Sequence, residues 1–527
     1  MSFTSPFPDV SIPDVPVFDY LFDGITETER QRVAFIDAQT GTVTTYGELV
    51  DQIEVFAANL VARGINVGDV IGLLSPNSTA FAVAYHGILR AGATATTFNV
   101  LSTAAEIARQ MLDSGARMML TVVEFRDKAE AASAQIGLAP HEVVTLDDDS
   151  LRFKPAVRLT GTANFHPANH LAVLPYSSGT TGLPKGVMLT HRNLVANAAQ
   201  VQPLGIVGSD DVVLAVLPFF HIYGMSVLLT ASLVPRATLV VMPSFDLAAF
   251  LGAIQDCRCT KAFIVPPVAV ALAKHPIVDS YDLSSLEVLM CGAAPLDAEV
   301  AGAVSARLSV VVRQGFGMSE LSGVGHSMPV DGGREAVGTV AQLNSCGWTL
   351  PNTVSKLVVP ETGIEIAVPE RGLSTTGELL IKGPNVMLGY LGNDDATAQT
   401  IDADGFLHTG DLACVDADGC VYIVDRLKEL IKYKGYQVAP AELEALLLTH
   451  PAIADAAVVP AKDAGSGEEI PKAFVVTQPS ASLTSAEVIE FVAENVAPYK
   501  KIREVEFTTF IPKSASGKIL RKDLRKR

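Results

Sequence analysis

YSSGTTGLPKGVMLTHRN, residues 176–193, sets six Gly, Ser or Thr residues in a row and closes them with Pro184-Lys185-Gly186. A Walker A loop needs GxxxxGK[ST] between a strand and a helix. Here the spacing is Gly179-x-x-Gly182-x-x-Lys185, and GVMLTH after it reads as a strand. The loop therefore joins two strands, and the Walker reading fails. The physics of anion capture survives. Successive N–H groups at glycines and small residues form an anion nest. Ser177, Ser178, Thr180 and Thr181 add hydroxyl donors, and Lys185 adds a point charge. A surface turn with a solvated lysine is the plain alternative for any such loop. Six small residues in a row tilt the reading toward phosphate.

On either side of this loop, short apolar runs alternate with amphipathic ones. VIGLLS (70–75) reads as a buried strand and AFAVAYHGILRAG (80–92) as the helix after it. MMLTVV (118–123), LAVLPY (171–176), LAVLP (214–218), TLVVM (238–242), AFIVPP (262–267) and EVLMCG (287–292) extend the strand series. The pattern predicts an α/β domain with largely parallel sheets. Across 338–425 turn signals crowd and strands dominate, as in GELLIKG and CVYIVDR, so a β-rich subdomain is expected there. After Asp425 come a strand, a turn at Lys434-Gly435, a helix over about 440–449, two strands and a helix in SAEVIEFVAENV. This makes a compact α+β unit. The expected division is 1–425, a junction at 426–428, and 429–527.

The totals set bounds on all of this. A chain of 527 residues suggests roughly three or four domain-sized units. A hydrophobic content of 49% supports a large core. The formal charge of −18 disfavours general binding to nucleic acid or anionic membranes, so an anionic ligand needs a local positive pocket. Six cysteines without a CxxC pair fit a reduced, cytoplasmic protein. The first residues lack a signal-peptide pattern, and the last, DLRKR, lack a peroxisomal SKL; both agree with that expectation. The longest apolar run, GMSVLLTASLVP, is too short to span a bilayer. The oligomeric state is left open.

Taken together, the motifs resemble those of the adenylate-forming superfamily: acyl- and aryl-CoA synthetases, firefly luciferase and peptide-synthetase adenylation domains. The 176–193 string is similar to that family's phosphate loop. LPFFHIYG (217–224), CGAAPL (291–296), QGFGMSE (314–320), GELLIKGPNVMLGY (377–390), FLHTGDLA (406–413) and PKSASGKILRK (512–522) resemble further motifs in the family's order. DRLKELIKYKGYQVAPAELE (425–444) and the N-terminal IPDVPVFDYLF resemble 4-coumarate–CoA ligases most. The implied fold is a large N-terminal domain of two α/β sheet subdomains plus the β-rich one, followed by a small mobile C-terminal domain. The implied reaction has two steps. A carboxylic acid attacks the α-phosphate of ATP, giving acyl-AMP and pyrophosphate. Coenzyme A then displaces AMP to form a thioester.

The resemblance assigns roles residue by residue. Lys518 bridges carboxylate and α-phosphate. Ser177, Ser178, Gly179, Thr180, Thr181, Gly182, Lys185, Ala294, Gln314, Gly315, Phe316, Gly317, Ser319, Asp411 and Arg426 hold ATP or AMP, with Asp411 on the ribose diol. Glu320 holds Mg²⁺. His221, Tyr223, Gly292, Ala293, Gly323 and Val324 border the acyl group, His221 positioning and gating rather than acting as a base. Lys428 is the hinge. Lys432 and Gln437 face the site during adenylation, and Lys434 and Gly435 face coenzyme A during thioester formation.

Three positions depart from the pattern. Phe316 stands where Tyr is common. Ser244 replaces a lysine that contacts coenzyme A in plant enzymes. LSGVGH follows Glu320 in place of an AGPV-like run. A cinnamate-type acid leads, with a medium- or long-chain fatty acid as the alternative. A luciferase-like oxygenase and a non-catalytic nucleotide-binding module are the rivals of another class.

Overall fold

The computed structural model describes residues 2–525, apart from 147–158, 160–162, 178–183, 334–336, 339, 434–435, 464–468, 479–480 and 515–516. Ser178, Gly179, Thr180, Thr181, Gly182, Lys434 and Gly435 thus lie outside the described residues.

Two large sheets and one antiparallel sheet build the N-terminal part. The nine-stranded sheet has a parallel centre in the order Val311–Met318, Val288–Cys291, Lys261–Ile264, Val212–Ala215, Thr238–Val241, Val33–Asp37. The eight-stranded sheet carries Val70–Leu74 beside Thr94–Thr97 and Ala116–Thr121, all parallel. Both sheets are sandwiched by helices, which is why their strands are buried along their length rather than alternating. The third sheet runs Phe3–Thr4, Val354–Val358, Gly377–Lys382, Leu407–Val415, Val421–Arg426, all antiparallel. One continuous core of buried residues links the N-terminal sheets, from Val17 to Val421.

A second core begins at Ile431. It packs the helices Pro440–Thr449 and Ser485–Asn495 against a three-stranded sheet of Ile453–Lys462, Glu469–Thr477 and Glu504–Phe507. Between the two cores, residues 427–429 form a turn that contains Lys428.

Two local readings differ from the sequence expectation. AFIVPP ends as a strand at Ile264, and Pro266 opens the helix Pro266–Lys274. Proline at the first helical turn lacks an N–H that would have had no partner there. The apolar stretch after His221 is a π-helix, Tyr223–Thr230, continued by Ala231–Leu233. Gly224 makes it possible: a Cβ there would sit 2.0 Å from the Pro218 carbonyl oxygen. No described helix is long and apolar enough to cross a membrane.

Candidate active site

The described residues of the opening stretch form two paired strands followed by the start of a helix at His191. Tyr176–Ser177 pairs antiparallel with Lys185–Thr190, with Lys185 opposite Ser177. The Ser177 hydroxyl is buried with no hydrogen-bond partner among the described residues. The Lys185 ammonium sits 4.6 Å from the centre of the Tyr390 ring, and the Tyr390 hydroxyl donates to Glu320 Oε1 at 2.9 Å. Tyr390 thus stands between the two, its face under the lysine and its hydroxyl on the carboxylate. Glu320 is buried in a short turn of helix, Ser319–Leu321, that follows the strand Val311–Met318. A buried carboxylate offers the oxygen ligands that a hard cation takes. Tyr390 closes a motif noted in the sequence but carried no role there; only the fold brings it to Glu320.

Backbone crowding shapes the adjoining wall. Gly317 presses on the return strand Gly323–Ser327 so closely that a Cβ would fall 1.8 Å from the Gly323 carbonyl oxygen. Gly292 lies under the Tyr223 ring, where a Cβ would meet the hydroxyl oxygen at 2.9 Å. Ala293 turns the chain out of its strand with φ of +71°. Gln314 anchors the loop that follows: its Oε1 accepts from the Leu296 N–H and its Nε2 donates to the Leu296 carbonyl, each at 2.8 Å. Both ends of that amide are committed to holding the loop.

Two cavities meet here. One is apolar, bounded by Tyr223, Val227, Phe263, Met290, Gly323 and Val324, with His221 at its edge. The other is a cleft between the two cores, where charged side chains stand among apolar ones. Ala294, Gln314, Asp411 and Arg426 come from the large domain, and Glu444, Lys518 and Arg521 from the small one. Ala293, Gly315, Phe316 and Gly317 belong to both. Ser319 lies just beyond, in the turn that carries Glu320.

Asp411 and Arg426 are directly opposed on neighbouring antiparallel strands. The guanidinium Nε lies 3.1 Å from Asp411 Oδ1, while Asp411 Oδ2 is buried without a partner among the described residues. Burial pushes the carboxyl upward against the pull of Arg426 and Lys518. A buried carboxylate with one free oxygen is an acceptor waiting for a hydroxyl donor.

Lys518 sits on a tight loop in which its N–H donates to Ser514 Oγ at 3.1 Å. Gly517 has φ of +80° and packs on Val265, where a Cβ would stand 2.8 Å from a methyl carbon. Burial, then the nearby Arg426, hold the Lys518 ammonium down to about 8, with Asp411 and Glu429 opposing them. Arg521 fixes the loop from behind through a two-point pair with Glu444, at 2.6 and 3.2 Å. His221 Nδ1 accepts from the Tyr223 N–H at 3.2 Å, so the neutral ring carries its proton on Nε2. Burial, then the charge of Lys518, push this imidazole down to about 4.

Lys432 and Gln437 stand apart. They face each other across the hairpin Ile431–Tyr433 and Tyr436–Val438, both exposed, and neither lines the cleft. With Lys518 in the cleft, the small domain presents the loop around 513–521 and the helix Pro440–Thr449 to the large domain. The hairpin instead packs toward its own domain, with Tyr436 stacked on Tyr499. The expectation that these two side chains face the site together with Lys518 is not met in this arrangement.

The comparisons agree with this geometry. Residues 22–391 match the AMP-binding enzyme family model, and residues 442–518 match the model of the AMP-binding enzyme C-terminal domain. The chain is 43% identical to 4-coumarate–CoA ligase 5 of Oryza sativa subsp. japonica, over 99% of this chain and 96% of that one. Among solved structures, the anthranilate CoA ligase AuaEII bound to anthranoyl-AMP superposes with a TM-score of 0.88 at 25% identity, covering 98% of each chain. ATP-bound MatB from Rhodopseudomonas palustris superposes at 0.85 with 28% identity, covering 98% of this chain and 99% of that one. The chain belongs to the AMP-binding enzyme family of adenylate-forming proteins.

Proposed function

We propose that this protein is an ATP-dependent acid–CoA ligase. One observation carries the reading: the Lys518 ammonium enters a cleft that holds Asp411 and Arg426 and adjoins an apolar cavity. The first half-reaction joins two anions. The acid's carboxylate oxygen attacks the α-phosphorus of ATP, and the bond to the β-phosphate oxygen breaks, releasing pyrophosphate. Lys518 and Arg426 offset the negative charge that gathers there. The free Asp411 oxygen accepts from the ribose diol. Ser177, Lys185 and the 178–183 loop hold the phosphates, in keeping with the unpartnered Ser177 hydroxyl. Glu320 would hold Mg²⁺, which would supply further charge neutralisation; the buried carboxylate braced by Tyr390 fits it. The thiol of coenzyme A then attacks the acyl carbon and AMP departs. Lys428 would serve as the pivot that withdraws Lys518 and admits Lys434 and Gly435.

The lead substrate is a 4-coumarate or cinnamate-type acid, because the curated relatives are ligases of 4-coumarate. The apolar cavity supports an acid whose body is uncharged. Apart from the neutral His221, it has no ionisable side chain but Tyr223 and Cys291, both raised by burial and so neutral. A medium- or long-chain fatty acid satisfies the same lining and is the second reading.

The test is pyrophosphate release with ATP and Mg²⁺ across acids from 4-coumarate and benzoate to octanoate and laurate, with and without coenzyme A. Turnover with cinnamates, sustained only with coenzyme A, is the expected result. Preference for octanoate or laurate moves the substrate to the aliphatic class. ATP binding without release from any of these acids contradicts the ligase reading.

A further inference from the structure

One helix of the small domain is held at both ends by charges from the large domain. Pro440–Thr449 begins after Ala439, which has no side chain able to cap it. Asp425, at the end of the last large-domain strand, does so instead: its Oδ2 accepts from the Ala441 N–H at 2.9 Å. At the other end stands Lys274, the last residue of the large-domain helix Pro266–Lys274. Its ammonium donates to the carbonyls of Leu448 at 2.6 Å, Ile453 at 3.1 Å and His450 at 3.2 Å. A helix leaves its first N–H groups and last carbonyls without internal partners, and its dipole favours an anion at the start and a cation at the end. Asp425 and Lys274 supply both signs in the right places.

The clasped helix carries Glu444, whose two-point pair with Arg521 holds the Lys518 loop. The large-domain helix that ends in Lys274 follows Val265, the side chain against which Gly517 packs. One element therefore touches the small domain at two places, 517 and 448–453. All three hydrogen bonds of Lys274 reach across to the other domain, so they exist only while the domains are closed around the cleft.

We propose that Lys274 is a positioning residue for adenylation: by capping the helix Pro440–Thr449 across the cleft, it favours the arrangement that seats Lys518. The inference rests on the ligase reading. It is tested on full-length protein with Lys274→Met, which keeps the aliphatic stem, and Lys274→Arg, which keeps the charge. Two half-reactions are measured: pyrophosphate release from ATP and an accepted acid, and thioester formation from preformed acyl-adenylate and coenzyme A. In Lys274→Met the turnover of the first should fall on the order of tenfold, the scale of a charge at a part-buried helix end. The KM values for ATP and acid should stay near those of the parent protein. The second half-reaction should persist, which also shows that the variant is folded, and Lys274→Arg should recover part of the loss. Unchanged adenylation, or equal losses in both half-reactions, overturns the proposal. Trypsin cleavage within 427–434 gives a readout independent of activity and should accelerate in Lys274→Met. If the parent protein releases no pyrophosphate, the ligase reading falls, and the cleavage rates still decide whether Lys274 holds the domains closed.

Discussion

On the large-domain wall of the cleft, backbone lies against backbone: Gly317 on the Gly323 carbonyl, Gly292 under Tyr223, Gly224 on the Pro218 carbonyl. On the small-domain wall, contact includes Lys274 and Asp425 on a helix, Gly517 on Val265, and Leu448 against the large-domain core. The first wall has no room to yield, because packed interiors resist even small added volume. The second parts when a handful of hydrogen bonds return to water. A site asked to perform two chemistries needs both kinds of surface, a fixed floor for substrate and a detachable roof for the cation.

The largest expected break in this comparison comes from emptying the roof of its charge. Lys518→Ala should slow adenylation on the order of 10²–10³-fold, as the loss of a transition-state contact does. Thioester formation from preformed adenylate should change far less, and an equal fall in both half-reactions would refute the role of Lys518.

Glycine substitutions set the two walls against each other. Gly317→Ala forces backbone movement and should lower stability by about 3 kcal/mol, read as a drop in the denaturation midpoint. Gly517→Ala should leave the main unfolding transition in place and depress pyrophosphate release, because its added methyl pushes only the small domain away. Equal thermal losses in the two variants would erase the contrast.

A pH profile sharpens the picture further. In the proposed reaction Lys518 acts as a cation, and its surroundings hold it down to about 8. It is therefore charged below that pH and loses its charge above it. The kcat/KM for adenylation should fall by about tenfold per pH unit on the alkaline side. Lys518→Arg, whose guanidinium stays charged, should remove that limb. A parent profile flat to well above pH 9 would count against the assignment.

The smallest effect belongs to Tyr390→Phe. Removing the hydroxyl leaves the ring face under Lys185 and takes one hydrogen bond from Glu320. The expected cost is about 0.5–1.5 kcal/mol in the adenylation barrier, a few-fold in rate. It should appear with a raised Mg²⁺ requirement; identical Mg²⁺ titrations for the two proteins would show that Tyr390 does not orient Glu320.

The parts legible in the sequence are those whose physics is local. The paired strands of 176–193 announce themselves by residue spacing, and the parallel strands by short apolar runs between helices. Asp411 and Arg426 could be picked out by motif, yet their direct opposition across a strand pair could not. Lys274, Tyr390 and the Glu444–Arg521 pair were invisible, because their partners lie 174, 70 and 77 residues away in the chain. The π-helix after His221 reads in the sequence as a featureless apolar run, which carries no sign of its helical pitch. Lys432 and Gln437 taught the reverse lesson. Their neighbourhood was legible, but which way a hairpin faces depends on how two domains are docked.

Consider again what the helix clasp recognises. Asp425 reads an N–H and Lys274 reads three carbonyls, all of them main-chain groups. Nothing in that grip inspects a side chain of the small domain. The side chains of the helix Pro440–Thr449 answer instead to their own domain, Leu443 and Leu447 to its core and Glu444 to Arg521. A small domain exchanged from a relative at the 427–429 turn would find the same two charges waiting for it.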